Sequence, residues 1–225
     1  MNYITSFSTR LRIKLHLVND LEKNDNIIPA LLEQNAPLWF KNYLIVTYSI
    51  MCSSVPLMKA AYEKCINQTT TTTTTEKKLM FDLGKYYKKH IEEEMNHDEW
   101  ILDDLQSIGI PREESLSRKP SQAVAELVGS QYYWIYHWHP ICLLGYIALL
   151  EGNPPTMNLI DRLQKLTGYP NTAFRTMVKH SNLDPHHRDE LNELLEKLPL
   201  EKQHEEWITY NALYSANKLL EIRKQ

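Results

Sequence analysis

The chain reads as all-α, and three observations carry that class. Only six glycines occur in 225 residues, no segment alternates apolar and polar residues with hairpin turns between, and apolar side chains recur every three or four positions. The length suits one substantial core, so residues 1–225 are expected to form a single helical domain.

In order along the chain, residues 8–22 carry a first helical pattern that ends in the polar run Glu-Lys-Asn-Asp-Asn. A second starts near Pro37, a residue suited to a first helical turn, and runs through Trp39, Tyr43, Leu44, Val46 and Tyr48. Pro56 is expected to break or kink it, leaving Leu57 to Cys65 as a further helix. The threonine run Thr69 to Thr75 resists helix and buries little, so residues 68–76 are expected to form a mobile loop.

Glu76 to Gly109 gives the longest clean helical period, stopped by Gly109 and Pro111. Residues 112–120 are charged and serine-containing, as in a linker. Ala123 to Glu151 is apolar and aromatic on nearly every side, which predicts a central buried helix kinked at Pro140. Pro154 and Pro155 end it. Four helical stretches follow: Thr156–Leu166, Asn171 to Ser181, Pro185–Leu198 stopped by Pro199, and Leu200–Arg223.

Composition excludes several function classes. Twenty-five basic against 28 acidic residues give a formal charge of −3, and the basic residues are scattered, so no footprint for nucleic acid exists. Cys52, Cys65 and Cys142 are too few and too far apart for a disulfide framework or a cysteine zinc site, which fits a reducing, cytoplasmic setting. No uninterrupted apolar run approaches membrane-spanning length, and the N-terminus lacks the pattern of a signal peptide. A soluble protein without a membrane partner is expected.

The chemistry-bearing stretch is His180-Ser-Asn-Leu-Asp184-Pro-His-His187. Positions i, i+4 and i+7 fall within about 60° of arc on a helix, so two imidazoles and a carboxylate share one face. That donor set suits a transition metal, iron first. The bland reading is that Asp184 caps a helix that starts at Pro185. Upstream, His90, Glu93, Glu94 and His97 fall on one helical face, where a solvated charged stripe is the ordinary explanation for the glutamates alone. Glu151 ends the apolar stretch Gly-Tyr-Ile-Ala-Leu-Leu; it needs a cation or strong hydrogen bonds if buried, and none if it faces water at a helix end.

Together, His97, Glu151 and the His180–Asp184–His187 trio resemble the haem-oxygenase-like di-iron oxidases and oxygenases, over roughly residues 80–195. The surroundings Glu-Glu-x-x-His97-Asp-Glu-Trp and Leu-Leu-Gly-Tyr…Leu-Glu151-Gly are similar to the branch of iron-containing redox enzymes. The family pattern pairs a glutamate and a histidine seven residues apart; here His90 stands in the glutamate's place, with Glu94 one turn closer to His97. Either His90 or Glu94 then completes the first iron site, or that site is weakened and the chain holds one metal.

The resemblance implies a haem-oxygenase-like bundle of seven or more helices. It also implies a metal set drawn from His90, Glu94, His97, Glu151, His180, Asp184 and His187. The cofactor implied is ferrous iron, two ions per chain, with dioxygen as co-substrate and a small organic acid or amine as the molecule oxidised. No catalytic residue beyond the ligands is implied. A homodimer is compatible with this reading. The rival readings are a metal-free thiaminase-like member of the same fold and a non-catalytic helical binding protein. A helix interrupted at Pro185 would further leave the His180–His187 segment less ordered without metal.

Overall fold

The computed structural model describes residues 5–24, 27–67 and 73–223, the side chains of 19–34 excepted, and among these no strand occurs. The elements in chain order are α1 (Phe7–Asn24), α2 (Ile27–Ile66), α3 (Thr74–Glu94), α4 (His97–Ser107), α5 (Arg112–Ser117), α6 (Gln122–His137), α7 (Leu143–Glu151), α8 (Met157–Thr167), α9 (Arg175–Lys197) and α10 (Lys202–Arg223). Short 3₁₀ turns at Pro140–Cys142 and Asn171–Phe174 lead into α7 and α9.

Five sequence expectations change. First, α2 continues through Pro56; its one non-helical residue is Asn35 (φ −157°, ψ 74°), whose side chain caps the Leu38 N–H at 3.1 Å and places Pro37 in the first turn after the kink. Second, Thr74 to Glu76 are helical, because Thr73 accepts from the Glu76 N–H at 3.2 Å; residues 68–72 of the expected loop lie outside the described residues. Third, the 76–109 stretch is two helices, α3 and α4, parted at Met95 (ψ 129°) and Asn96 (φ 68°, ψ 16°).

Fourth, α9 runs unbroken from Arg175 to Lys197 with Pro185 inside it. Packing at both ends holds the helix, so Asp184 sits in mid-helix rather than capping a new one. Fifth, the 123–151 stretch breaks at Trp138–Pro140, where a kink is expected, but α6 is not central: Tyr133, Tyr136 and Trp138 face outward. The linker at 112–120 also contains the single-turn α5.

Two apolar clusters organise the bundle. The larger is built from α1, the second half of α2, α3, α6, α7, the last turns of α9 and α10. The smaller joins the first half of α2 through Phe40 and Leu44 to α4, α8 and the start of α9. By mean hydropathy (1.4), Asn35–Ile66 is long and apolar enough to cross a membrane, contrary to the impression from uninterrupted runs. Its apolar character has a local cause: Phe40, Leu44, Leu57 and Ala61 are fully buried in the two clusters, while Ile45, Val46, Ile50 and Met51 line a cavity.

Candidate metal centre

The seam between the two clusters is where the chemistry-bearing side chains meet. The larger cluster's helices bring His90 and Glu94 from the end of α3 and Glu151 from the end of α7; the smaller brings His97 from the first turn of α4; α9, which spans both, brings His180, Asp184 and His187.

His90, Glu94, Glu151 and His187 each present one ligand atom within 4.8 Å of the others. His90 Nε2 lies 2.7 Å from Glu151 Oε1, His187 Nδ1 lies 3.4 Å from Glu94 Oε1, and the two imidazole rings meet edge to face at 4.9 Å. Glu151 therefore turns inward to a partner instead of facing water. The remaining three sequence-derived residues lie beside this group. His97 Nδ1 is 3.1 Å from Glu94 Oε2, its ring meets that of His180 at 5.3 Å, and His180 Nδ1 is 2.7 Å from Asp184 Oδ1. Glu94 is thus common to both halves: one oxygen faces His187 and the other His97.

Local structure explains the placement. On a continuous helix His97 would sit nearly one above the other with Glu94 and His90. The left-handed turn at Asn96 restarts the chain in a new direction, so His97 stacks on Trp100 (3.9 Å) in its own helix and reaches His180 across the seam. Lys179 Nζ covers Trp100 at 3.6 Å. At the other end Tyr86 stacks on His90 at 5.2 Å.

Burial sets the electrostatics. It disfavours a charged His90, yet Glu151, Glu94 and Glu93 outweigh it and raise His90 to about 9. Burial raises Glu151 despite His90, whereas for Glu94 the His97 hydrogen bond and neighbouring imidazoles overcome burial and lower it. Burial likewise opposes protonation of His180, but the Asp184 hydrogen bond raises it. With His180 Nδ1–H given to Asp184, Nε2 keeps its lone pair for a ligand, the arrangement in which a carboxylate orients a metal-binding imidazole.

The donor atoms fit a divalent cation. His90 Nδ1, Glu94 Oε1, Glu151 Oε2, His180 Nε2 and His187 Nδ1 are all shielded from solvent without a hydrogen-bond partner. An orphaned buried polar atom costs ~1–3 kcal/mol, so the four on His90, Glu94, Glu151 and His187, residues that form one close group, mark a site shaped for something that takes lone pairs, with His180 in the neighbouring half. Imidazoles and carboxylates together are a donor set for iron and its neighbours.

Sequence reasoning did not single out the cavity beside this centre. About 640 Å³ in volume, it reaches Glu94, Glu151, His180 and Asp184, and its walls include Val46, Ile50, Met51, Leu150 and Met177. Thr176, one turn before His180, lies in the same wall and is buried. Its backbone N–H donates to Asp104 Oδ2 at 3.0 Å, an anchor from α4 to the first turn of α9 that no motif announces. A third group, Glu93, His186 and Glu190, also clusters, but Lys89 already occupies it: Nζ is 2.9 Å from Glu93 Oε1 and bonded to Glu190. That is a surface ion-pair network.

Comparison with known proteins gives the fold and the family. No curated protein matches the chain. Among solved structures, a domain of unknown function with a haem oxygenase-like fold from Shewanella denitrificans OS217 is similar over 96% of this chain and 89% of that one, with a TM-score of 0.75 at 22% identity. A TenA homolog from Pseudomonas syringae pv. tomato str. DC3000 is similar over 93% and 89%, with a TM-score of 0.63 at 11% identity. At such identities these two establish the fold. The sequence family described as iron-containing redox enzyme matches residues 89–216, a span that takes in all seven residues of the centre. The chain, an all-α protein of haem-oxygenase-like fold, therefore belongs to the iron-containing redox enzyme family.

Proposed function

We propose that this protein is a non-haem di-iron oxidase or oxygenase that oxidises a small organic acid or amine. The observation that carries the reading is the position of Glu94 between two half-sites, His90–Glu151–His187 on one side and His97–His180–Asp184 on the other. Two cations, one held by each half, would use donors on both sides; a single ion held by His90, Glu94, Glu151 and His187 would leave His180 Nε2 without a partner.

Bound ferrous iron would supply the electrons that reduce dioxygen. The chain's own contribution is separate. Asp184 fixes the tautomer and direction of the His180 ring, and Glu151 does the same for His90. The apolar wall of the cavity excludes water from the side on which Glu94, Glu151 and His180 are presented, and selects a molecule with an apolar body. Tyr86 and Trp100 pack against His90 and His97 and hold both rings in place. Partners in this reading are a small-molecule substrate and neither nucleic acid nor membrane, in a cytoplasmic setting.

The metal-free thiaminase-like alternative rests on the fold shared with the TenA homolog. A cysteine nucleophile for it finds little support, because burial pushes the Cys65 and Cys142 thiols up to about 12 and raises Cys52 too. Anaerobic loading with ferrous iron, desalting, and counting iron per chain tests the proposal. Two ions per chain and dioxygen uptake on adding air are expected; a chain that retains no iron overturns it.

A further inference from the structure

Apart from the metal centre, one carboxylate lies between two buried imidazoles. His139 Nε2 is 2.9 Å from Glu76 Oε1, His204 Nε2 is 4.0 Å from Glu76 Oε2, and the two rings lie 5.6 Å apart. Trp207 packs against both rings, at 5.6 Å from His139 and 5.2 Å from His204. The three residues come from three places: Glu76 from the first turn of α3, His139 from the cap of the Pro140–Cys142 turn, and His204 from the start of α10. The groups whose charge His139 feels are Glu76 and His204. Cys65 of α2 also faces Glu76, and Cys142 lies on the turn itself, but burial raises both thiols to about 12. Between Glu126 and Glu151, α6 and α7 carry no Asp, Glu, Lys or Arg.

The backbone fixes the protons on both rings. His139 Nδ1 accepts the Ile141 N–H at 3.1 Å, and His204 Nδ1 accepts the Glu201 N–H at 3.1 Å. An amide N–H can only donate, so each Nδ1 keeps its lone pair and each neutral ring carries its proton on Nε2, toward Glu76. That proton also keeps a cation out, since a ligated Nε2 would have to surrender it while Nδ1 has none. A second proton has no place on His139: on Nδ1 it would face the Ile141 N–H, donor against donor, and the cap of the turn would be lost. Burial lowers His139 as well, against the pull of Glu76. A histidine lowered on folding stabilises the protein above its unfolded value near 6.5, and this contribution is lost as pH falls from there through the folded value.

We propose that Glu76, His139 and His204 form an acid-operated latch, in which protonation of His139 releases the Pro140–Cys142 turn and loosens the junction of α3, α7 and α10. The opening is local, because Tyr87 on α3 still holds the Pro140 carbonyl at 2.8 Å. Its position gives it reach. The turn leads directly into α7, which ends in Glu151, and Glu76 begins the helix that carries His90 and Glu94, so the latch closes the far ends of two helices that meet again at the metal centre. The latch is independent of the iron reading, since no residue of that centre takes part.

Two measurements on the full, metal-free chain test the latch. Nitrogen-15 spectra of the histidine rings should show the Nε2–H tautomer for His139 and His204 at pH 7.5, with His139 titrating below 6.5. Amide hydrogen exchange, corrected for its intrinsic pH dependence, should show Ile141 and Cys142 losing protection by about tenfold or more between pH 7 and pH 5, one bound proton being worth tenfold per pH unit. Leu127, buried in α6, is the control and should lose less. His139→Asn keeps a side-chain acceptor for the Ile141 N–H and cannot take up a proton, so its Ile141 protection should be retained at pH 5. Equal Ile141 protection in the parent at both pH values overturns the proposal, and so does an asparagine variant that loses protection as the parent does. A His139 ring that carries its proton on Nδ1 or titrates above 6.5 overturns it independently of any variant.

Discussion

Glu94 Oε2 lies 3.1 Å from His97 Nδ1 across the two-residue break that separates α3 from α4. The other oxygen of the same carboxylate faces His187 at 3.4 Å, so one side chain joins the two halves of the centre. The sequence leaves His90 and Glu94 as competitors for one ligand position; in the structure they are neighbours in one group.

Substitutions should therefore fall into two classes of iron content. Glu94→Ala is expected to remove both ions, since each half loses a donor. His90→Ala and Glu151→Ala should each leave about one ion, as should His97→Ala and His180→Ala, because each breaks one half. Iron per chain after anaerobic loading and desalting measures this. A Glu94→Ala protein that keeps the parent's iron content would sink the shared-carboxylate reading.

Asn96 holds the break open with φ 68°, the one non-glycine residue with positive φ among those described. Asn tolerates this region far better than a β-branched residue, for which the left-handed conformation costs ~1–2 kcal/mol or more. Asn96→Val should lower stability by about that amount and reduce iron retention on the His97 side, while Asn96→Gly should be nearly neutral. Equal melting temperatures and iron contents for the valine and glycine variants would refute a role for the turn in setting His97.

The contrast between α3 and α9 shows what the sequence could reveal. His180, Asp184 and His187 share a face because α9 is regular, so their spacing alone was sufficient. The α3–α4 break was not legible, because Glu-Glu-Met-Asn-His contains neither Gly nor Pro and its helical period continues on both sides. A lone Asn before His97 was the only signal. The aromatic run at 132–138 was misread as buried because periodicity reports where apolar side chains lie on a helix, not what covers them. The cavity and the Asp104 anchor depend on residues dozens of positions apart, which no local pattern encodes.

Gly145 fixes how close α7 can approach α10. A Cβ there would stand 2.3 Å from Ile208 O and 2.7 Å from Ala212 N, both backbone atoms that cannot step aside. Gly145→Ala should force the helices apart and cost about 3 kcal/mol, the upper part of the usual overpacking range. Because α7 ends in Glu151, the His90–Glu151 half should lose iron affinity as well. Urea denaturation reads the first effect; a midpoint unchanged from the parent would show that the backbones are not in contact.

Asp104 gives the last expectation, and it concerns pH. The side chain is fully buried on α4, and Oδ2 accepts the Thr176 N–H at the first turn of α9. Burial raises its carboxyl to about 6, against which the bonds from Thr176 and the nearby Arg175 act only in part. A carboxyl raised on folding stabilises the protein at low pH, below its unfolded value near 4, and this contribution is lost as pH rises through about 6. At neutral pH the ionised group then costs on the order of 2–3 kcal/mol relative to its protonated form. Asp104→Asn keeps an oxygen for the Thr176 N–H and removes the charge, so it should match or exceed the parent's stability above pH 7 and flatten the fall between pH 4 and 7. Asp104→Ala removes the cap and should destabilise at every pH. Unfolding free energies of the three proteins across that window decide the matter: an asparagine variant that declines with pH as steeply as the parent would place the titration elsewhere.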